Sequence, residues 1–379
     1  MDRLSPRRVL LGAAAPVGAL VVAFLITTVV LLLTKHDPFQ AYDAMIHAFD
    51  KGRIIVGSIN QATTYYLAAV AVAVGFRMNL FNIGVDGQYR LAAMLSAAVA
   101  GAGFMSSLPG FLRVLITIAV AMIVGASWAG IAALLKVTRG VSEVISTIML
   151  NAIATFVIAY LLNANRLAVQ QGNNVGTPKI TPGGQVPTID INTSANGTTP
   201  LYTLIVLSLL VGIAYAFILS RTVFGFSIRA TGLSESAAVA SGISVKKMVV
   251  SAMLISGAVA GLVGMPELLN GTAGSYSLNF PTGIGFTGIA IALLGRNHPL
   301  GMAFSSILWA ALDSSSNSLQ GVNVPKELVT IMQGVIVLSI VVAYELVRRY
   351  RIVLEQKNVA RALSNSAGPA APTLEKVAS

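Results

Sequence analysis

The sequence predicts an all-helical protein that crosses a membrane many times. Composition, segment length and charge distribution carry that reading. Of the 379 residues, 55% are hydrophobic and only 10% are charged, against roughly 25% charged in soluble domains. Mean hydropathy is +0.78, more apolar surface than a soluble core of this size hides. The apolar residues come in runs of spanning length. The first, residues 9–33, exceeds the h-region of a signal peptide and suits a retained helix of about 20 residues or more. The third observation is that basic residues sort to one side of the resulting topology.

A window of about 19 residues gives ten expected spans, near 9–34, 57–75, 83–103, 111–135, 143–163, 201–220, 247–269, 283–295, 299–316 and 327–347. With the N-terminus inside, the inner segments hold Arg3, Arg7, Arg8, Arg77, Arg90, Lys136, Arg139, Arg221, Arg229, Lys246, Lys247, Arg296 and six tail residues, 18 of the 25 Lys and Arg. This bias favours both termini inside. The division is then a short inner N-terminus (1–8), a membrane domain (9–347) and a polar tail (348–379) expected to be disordered. Two connections stand out. Residues 164–200 form a long outer loop rich in Gly, Pro and Asn. Residues 221–247 form an inner loop, basic at both ends, in which a Ser/Ala segment between Gly232 and Gly242 reads as a short helix on the membrane face.

Several chemistries are excluded. Cysteine is absent, so there are no disulfides or thiolates. No phosphate-binding GxxxxGK[ST] loop and no HExxH occur. His36, His47 and His298 fall on different sides of the expected membrane, which argues against a metal site. The net charge of +11 reads as inner-face basic residues rather than a nucleic-acid surface.

The informative signals are polar or glycine-rich breaks within apolar runs, because non-helical backbone at membrane depth survives only inside protein or beside water. Three occur: FNIGVDGQYR (81–90), RGVSEVISTIMLN (139–151) and GIGFTGIAIALLGRNHPLG (283–301). Glycines here read first as helix-packing contacts. Arg90 lies i+4 from Asp86 and balances it or snorkels. Asp86 reads equally as a structural and as a path residue. Glu143 opens a helix, where an acid complements the dipole. Glu267 and Asp313 are further acids near span ends.

These residues carry a resemblance. FNIGVDGQ is similar to the FNIGVEGQ stretch of ABC-importer permeases for nucleosides and simple sugars, and EVISTIMLNAIA to that family's EVISTIMLNYIA. IRATGLSESAAVASGISVKK fits its RAxGxNxxAAxxxGI loop, and SGAVAGLVG and GFTGIAIALLGRNHPLG follow in order. The matches cover roughly residues 60–310 and resemble most the longer permease subunit of nucleoside-type systems. Asp86 replaces the usual Glu, Leu233-Ser234-Glu235 departs from the loop pattern, and the 164–200 loop is long.

The resemblance implies a type II importer fold of about ten helices in the bacterial cell membrane. It implies a second, homologous permease subunit in a heterodimer, cytoplasmic ATPases and an extracytoplasmic binding protein. The chain itself would bind no cofactor, ATP and Mg being used by the ATPase. The 221–247 loop would be the coupling segment, with Arg229, Ala230, Gly232, Glu235, Ala237, Ala238, Gly242 and Ile243 meeting the ATPase. Asn82, Asp86, Gln88, Ser142, Glu143, Thr147 and Asn151 would line or gate the path. A nucleoside is the first substrate class and a simple sugar such as a pentose the second. An ion-coupled transporter using Asp86 or Glu143, or a membrane enzyme using the same acids, are the rival readings.

Overall fold

The computed structural model describes residues 6–171, 174–194, 197–271 and 274–339, with isolated positions between 342 and 356. The expected disordered tail and the first five residues lie outside these, isolated positions apart. The chain divides into two units. One takes residues 1–35 and 330–379 and holds α1 (Pro6–Leu33); the other is His36–Val329. A further apolar helix runs Glu327–Ser339.

The larger unit contains α2 (Pro38–His47), α3 (Gly52–Phe76), α4 (Val85–Ala100), α5 (Gly110–Arg139), α6 (Glu143–Leu161), α7 (Ile205–Arg221), α8 (Val223–Leu233), α9 (Glu235–Ala240), α10 (Val245–Leu262), α11 (Ile284–Leu294) and α12 (Pro299–Ser316). A π-helical turn, Pro266–Asn270, follows α10. α3 is the axis: every residue from Leu67 to Ala73 is fully buried, and α7, α10, α11 and α12 pack around it. Its run of Ala and Val gives a slim surface that admits several helices. α5 and α10 meet through glycine. A Cβ on Gly257 would sit 2.5 Å from Ala129 Cβ and drive into the Gly125 carbonyl; one on Gly261 would collide with Ala121. In lipid, where apolar contact between helices gains little over lipid tails, such close approach is a main source of association.

Among the described residues, three helices have the length and hydropathy to cross a membrane unbroken: Gly110–Arg139, Glu143–Leu161 and Val245–Asn270. α7 and α8 make a fourth only as a pair bent by 74°. Of the other expected spans, α1 and α3 are continuous helices of 28 and 25 residues. α3 carries Asn60, Gln61, Thr63 and Thr64 in its N-terminal half. α4 and α11 have 16 and 11 residues and start at breaks.

Two loops hold more structure than expected. Residues 164–200 fold into two antiparallel hairpins, β1 (Val169–Gln171) with β2 (Asn174–Gly176) and β3 (Ile189–Ser194) with β4 (Gly197–Leu201). The 221–247 loop holds α8 as well as the expected short helix α9. Thr222 and Ser234 start them, their hydroxyls accepting from Gly225 N and Ala237 N. Outside the spans, Asp37 caps α2 by accepting from Phe39 N at 2.8 Å, with Pro38 at the first helical position.

Candidate functional site

The polar stretch between α3 and α4 closes on itself. α3 ends at Phe76, and Asn79 turns the chain with φ +58°. Asn82 is fully buried and exchanges two amide bonds with Gln88, its Nδ2 donating at 2.9 Å and its Oδ1 accepting at 2.8 Å. Asn82 Nδ2 also donates to Ser256 Oγ at 2.8 Å, and Ser256 donates to the Ala71 carbonyl at 2.6 Å. Asn151 of α6 clamps the same turn, accepting from Gly87 N at 2.8 Å and donating to the Ile83 carbonyl at 2.9 Å. Glycine is required at 87, since a Cβ would lie 2.9 Å from Asn151 Cα. The stretch is thus a knot joining α3, α4, α6 and α10. Buried polar groups in such a net are satisfied by each other.

Asp86 points to the start of α11, accepting from Gly285 N at 3.4 Å, and Arg90 stands 3.8 Å away. Gly283, with φ +83°, precedes that helix. Glu143 receives Lys136 Nζ at 2.5 Å and Phe81 N at 3.4 Å. Thr147 is fully buried and donates to the Glu143 carbonyl at 2.6 Å. Ser142 precedes α6 without a side-chain cap bond. The structure therefore gathers Asn82, Asp86, Gln88, Glu143, Thr147 and Asn151 around one break. It does not place them on an open cavity: Asn82, Gln88 and Thr147 have no exposed surface in this conformation.

A polar-walled cavity lies elsewhere, toward the N-terminal end of α3. It has a volume of about 400 Å³ and is lined by the N-terminal turns of α3, the end of α10 with its π-helical turn, Tyr202, and the segment entering α11. Gln61 Nε2 donates to Tyr65 Oη at 2.7 Å, and the Tyr65 hydroxyl donates to Asp313. The Tyr202 hydroxyl donates to Glu267 at 3.2 Å. Asn60 ties the wall to the end of the β3–β4 hairpin, donating to the Pro200 carbonyl and accepting from Tyr202 N, both at 2.9 Å. Among the described residues no Lys or Arg lines the cavity. Of its polar wall, sequence reasoning singled out only Glu267. The available signal was NQATTYY, residues 60–66, a polar run as marked as the one at 81–90.

On the opposite flank, α8 and α9 form an elbow against the end of α3. A Cβ on Gly232 would collide with the Arg77 carbonyl and lie 3.0 Å from Met78 Cα. Arg229 turns back to donate to the Leu219 carbonyl, Ala238 is buried, and Gly242 has φ +79°. Glu235 and Ala237 are exposed. Leu233 and Val239 are 89% and 62% exposed, presenting apolar side chains outward.

A family model described as a branched-chain amino acid transport system permease component matches residues 54–341, which takes in the α3 cavity, the knot and the elbow. The chain belongs to this family. It is the membrane-embedded permease subunit of an ABC transporter and leaves ATP hydrolysis to a separate subunit. It is 31% identical over 331 residues to the guanosine ABC transporter permease protein NupP of Bacillus subtilis, covering 87% of this chain and 93% of that protein. It is 28% identical over 331 residues to the nucleoside ABC transporter permease protein NupB of Lactococcus lactis subsp. cremoris (87% and 90%). It is 29% identical over 359 residues to the glucose ABC transporter permease protein TsgB13 of Haloferax volcanii (92% and 93%). No solved structure matches.

Proposed function

We propose that this permease imports nucleosides, delivered by an extracytoplasmic binding protein and driven by a cytoplasmic ATPase, with a second homologous permease subunit completing the pathway. The observation that carries the reading is the cavity of about 400 Å³ beside broken helices. It falls in the size range of small-molecule sites, in a chain similar over most of its length to permeases named for nucleosides and guanosine. Likeness to a glucose permease supports a simple sugar as the second substrate class.

In this reading the chain has the type II arrangement of about ten membrane segments, several broken or short, with both termini cytoplasmic. Arg229, Ala230, Gly232, Glu235, Ala237, Ala238, Gly242 and Ile243 belong to the elbow that docks on the ATPase, and the exposed Leu233 and Val239 supply its apolar contact. Gly232 keeps the elbow pressed on the end of α3, so ATPase movement is passed to the helix lining the cavity. The knot around Asn82, Asp86, Gln88, Glu143, Thr147 and Asn151, with Ser142 at its edge, is the rigid joint about which α4, α6 and α11 move. The chain itself holds no cofactor; ATP and Mg act on the partner.

Affinity purification in mild detergent tests this. The expected result is a copurifying ATPase and an associated binding protein that takes a nucleoside in a ligand screen. Uptake that survives ATP depletion while a proton gradient is kept would overturn it in favour of ion coupling.

A further inference from the structure

The wall of the cavity has a chemistry of its own. Glu267 and Tyr202 form an acid–phenol pair on one side. Gln61 and Tyr65 form an amide–phenol pair on the other, anchored by Asp313. Phe280, on which Tyr276 stacks with ring centroids 4.7 Å apart, adds a flat apolar surface. A carboxylate and an amide accept from ligand hydroxyls, phenols donate or accept, and aromatic faces receive a flat ring. A phosphate would instead meet the Glu267 carboxylate where, among the described residues, no Lys or Arg lines the wall. Like charges brought together repel, and for an anion to give up hydration water on binding without a cationic partner is costly.

We propose that this cavity is a selection site within the permease itself, taking the uncharged, hydroxyl-bearing ligand and rejecting its phosphate ester. The inference rests on the nucleoside-or-sugar reading above and deepens it. It also places the transporter in a sequence of reactions. Where the ligand is first met as a phosphomonoester, a hydrolase outside the membrane must act before uptake, water cleaving the P–O bond to give the alcohol and inorganic phosphate.

Occupancy of the cavity can be read directly, because this chain has no cysteine. Thr282 lines the cavity and is exposed. In the assembled transporter carrying Thr282→Cys, alkylation of that residue by a maleimide is followed by mass spectrometry of this chain. Millimolar guanosine, or glucose for the sugar class, is expected to slow alkylation several-fold, while guanosine monophosphate or glucose 6-phosphate leaves it unchanged. Adding Glu267→Gln is expected to remove about tenfold of the protecting affinity. Equal protection by ligand and ester, or protection by neither ligand, overturns the proposal. A second measurement does not depend on the Cys variant. Glu267→Gln and Tyr202→Phe, assembled with normal ATPase content, are expected to raise the KM of ATP-driven uptake about tenfold at unchanged binding-protein affinity. Wild-type kinetics in both would overturn the site. Wild-type transporter that takes up neither guanosine nor glucose would overturn the underlying reading instead.

Discussion

At the scale of single residues, the polar side chains divide into those spent on the fold and those left facing space. Asn82 is spent. Replacing it by Ala strands both ends of the Gln88 amide and the Gly84 N–H, which donates to Asn82 Oδ1 at 3.1 Å. Each buried orphan costs about 1–3 kcal/mol. Asn82→Ala is therefore expected to lower the thermal unfolding temperature in detergent far more than Asp86→Asn, whose contacts are long at 3.4 and 3.8 Å and whose shape is kept. An equal loss for the two would mean that the knot is not what holds α4 in place. His47, outside the spans, gives a pH prediction. Its ring bonds Asp50 at 2.8 Å and stands 3.3 Å from Asp43; the Asp50 bond, then the charges of Asp43 and Asp50, raise its pKa above the ordinary value. A raised folded pKa means that the stabilisation is complete below the unfolded value of about 6.5 and fades as pH rises through the folded one. The difference in unfolding temperature between wild type and His47→Gln is expected to be largest below about pH 6 and to vanish in alkaline solution.

At the scale of elements, the packing of α5 on α10 is decided by what is missing from Gly125, Gly257 and Gly261. A side chain at Gly257 has no space to enter, because its neighbours are the Gly125 carbonyl, Ala126 Cα and Ala129 Cβ. Overpacking a close contact costs about 1–3 kcal/mol and sometimes more. Gly257→Leu is expected to cut the folded yield sharply, whereas Gly321→Ala, with nothing within 4 Å, is expected to leave it intact. Matching yields would show that the two helices separate freely. The elbow makes the opposite kind of claim, since its outward residues carry little of the fold. Leu233→Asp with Val239→Asp is expected to leave unfolding unchanged yet abolish ATPase copurification. Retained ATPase would move the docking surface elsewhere.

At the scale of the whole molecule, the sequence was legible where apolar length and chain breaks say the same thing. α5, α6 and α10 are long apolar helices, and the breaks at 81–90, 139–151 and 283–301 all separate helices. It was less legible in the inner loop: the span at 201–220 ends where α7 does, but α8, which turns 74° from α7, was not expected. The β3–β4 hairpin was signalled by the alternation TIDINT and by Asn196-Gly197, a period of two that a helix-length window smooths away. Of the cavity, only Glu267 was picked out, because an acid in an apolar run is conspicuous. Tyr65 and Tyr202 are not conspicuous, since phenols sit comfortably in cores and at membrane interfaces alike. Membrane orientation follows from basic-residue bias alone, and it can be decided in intact cells. The absence of cysteine gives a background-free chain. Thr198, on the exposed face of β4, and Ser236, exposed on α9, lie on opposite sides if the bias is right. Thr198→Cys is expected to react with a membrane-impermeant maleimide in whole cells, and Ser236→Cys only in inverted vesicles. The reverse pattern would turn the molecule over and detach the elbow from any cytoplasmic ATPase. Labelling of both from one side would mean an odd number of crossings between residues 198 and 236 is wrong.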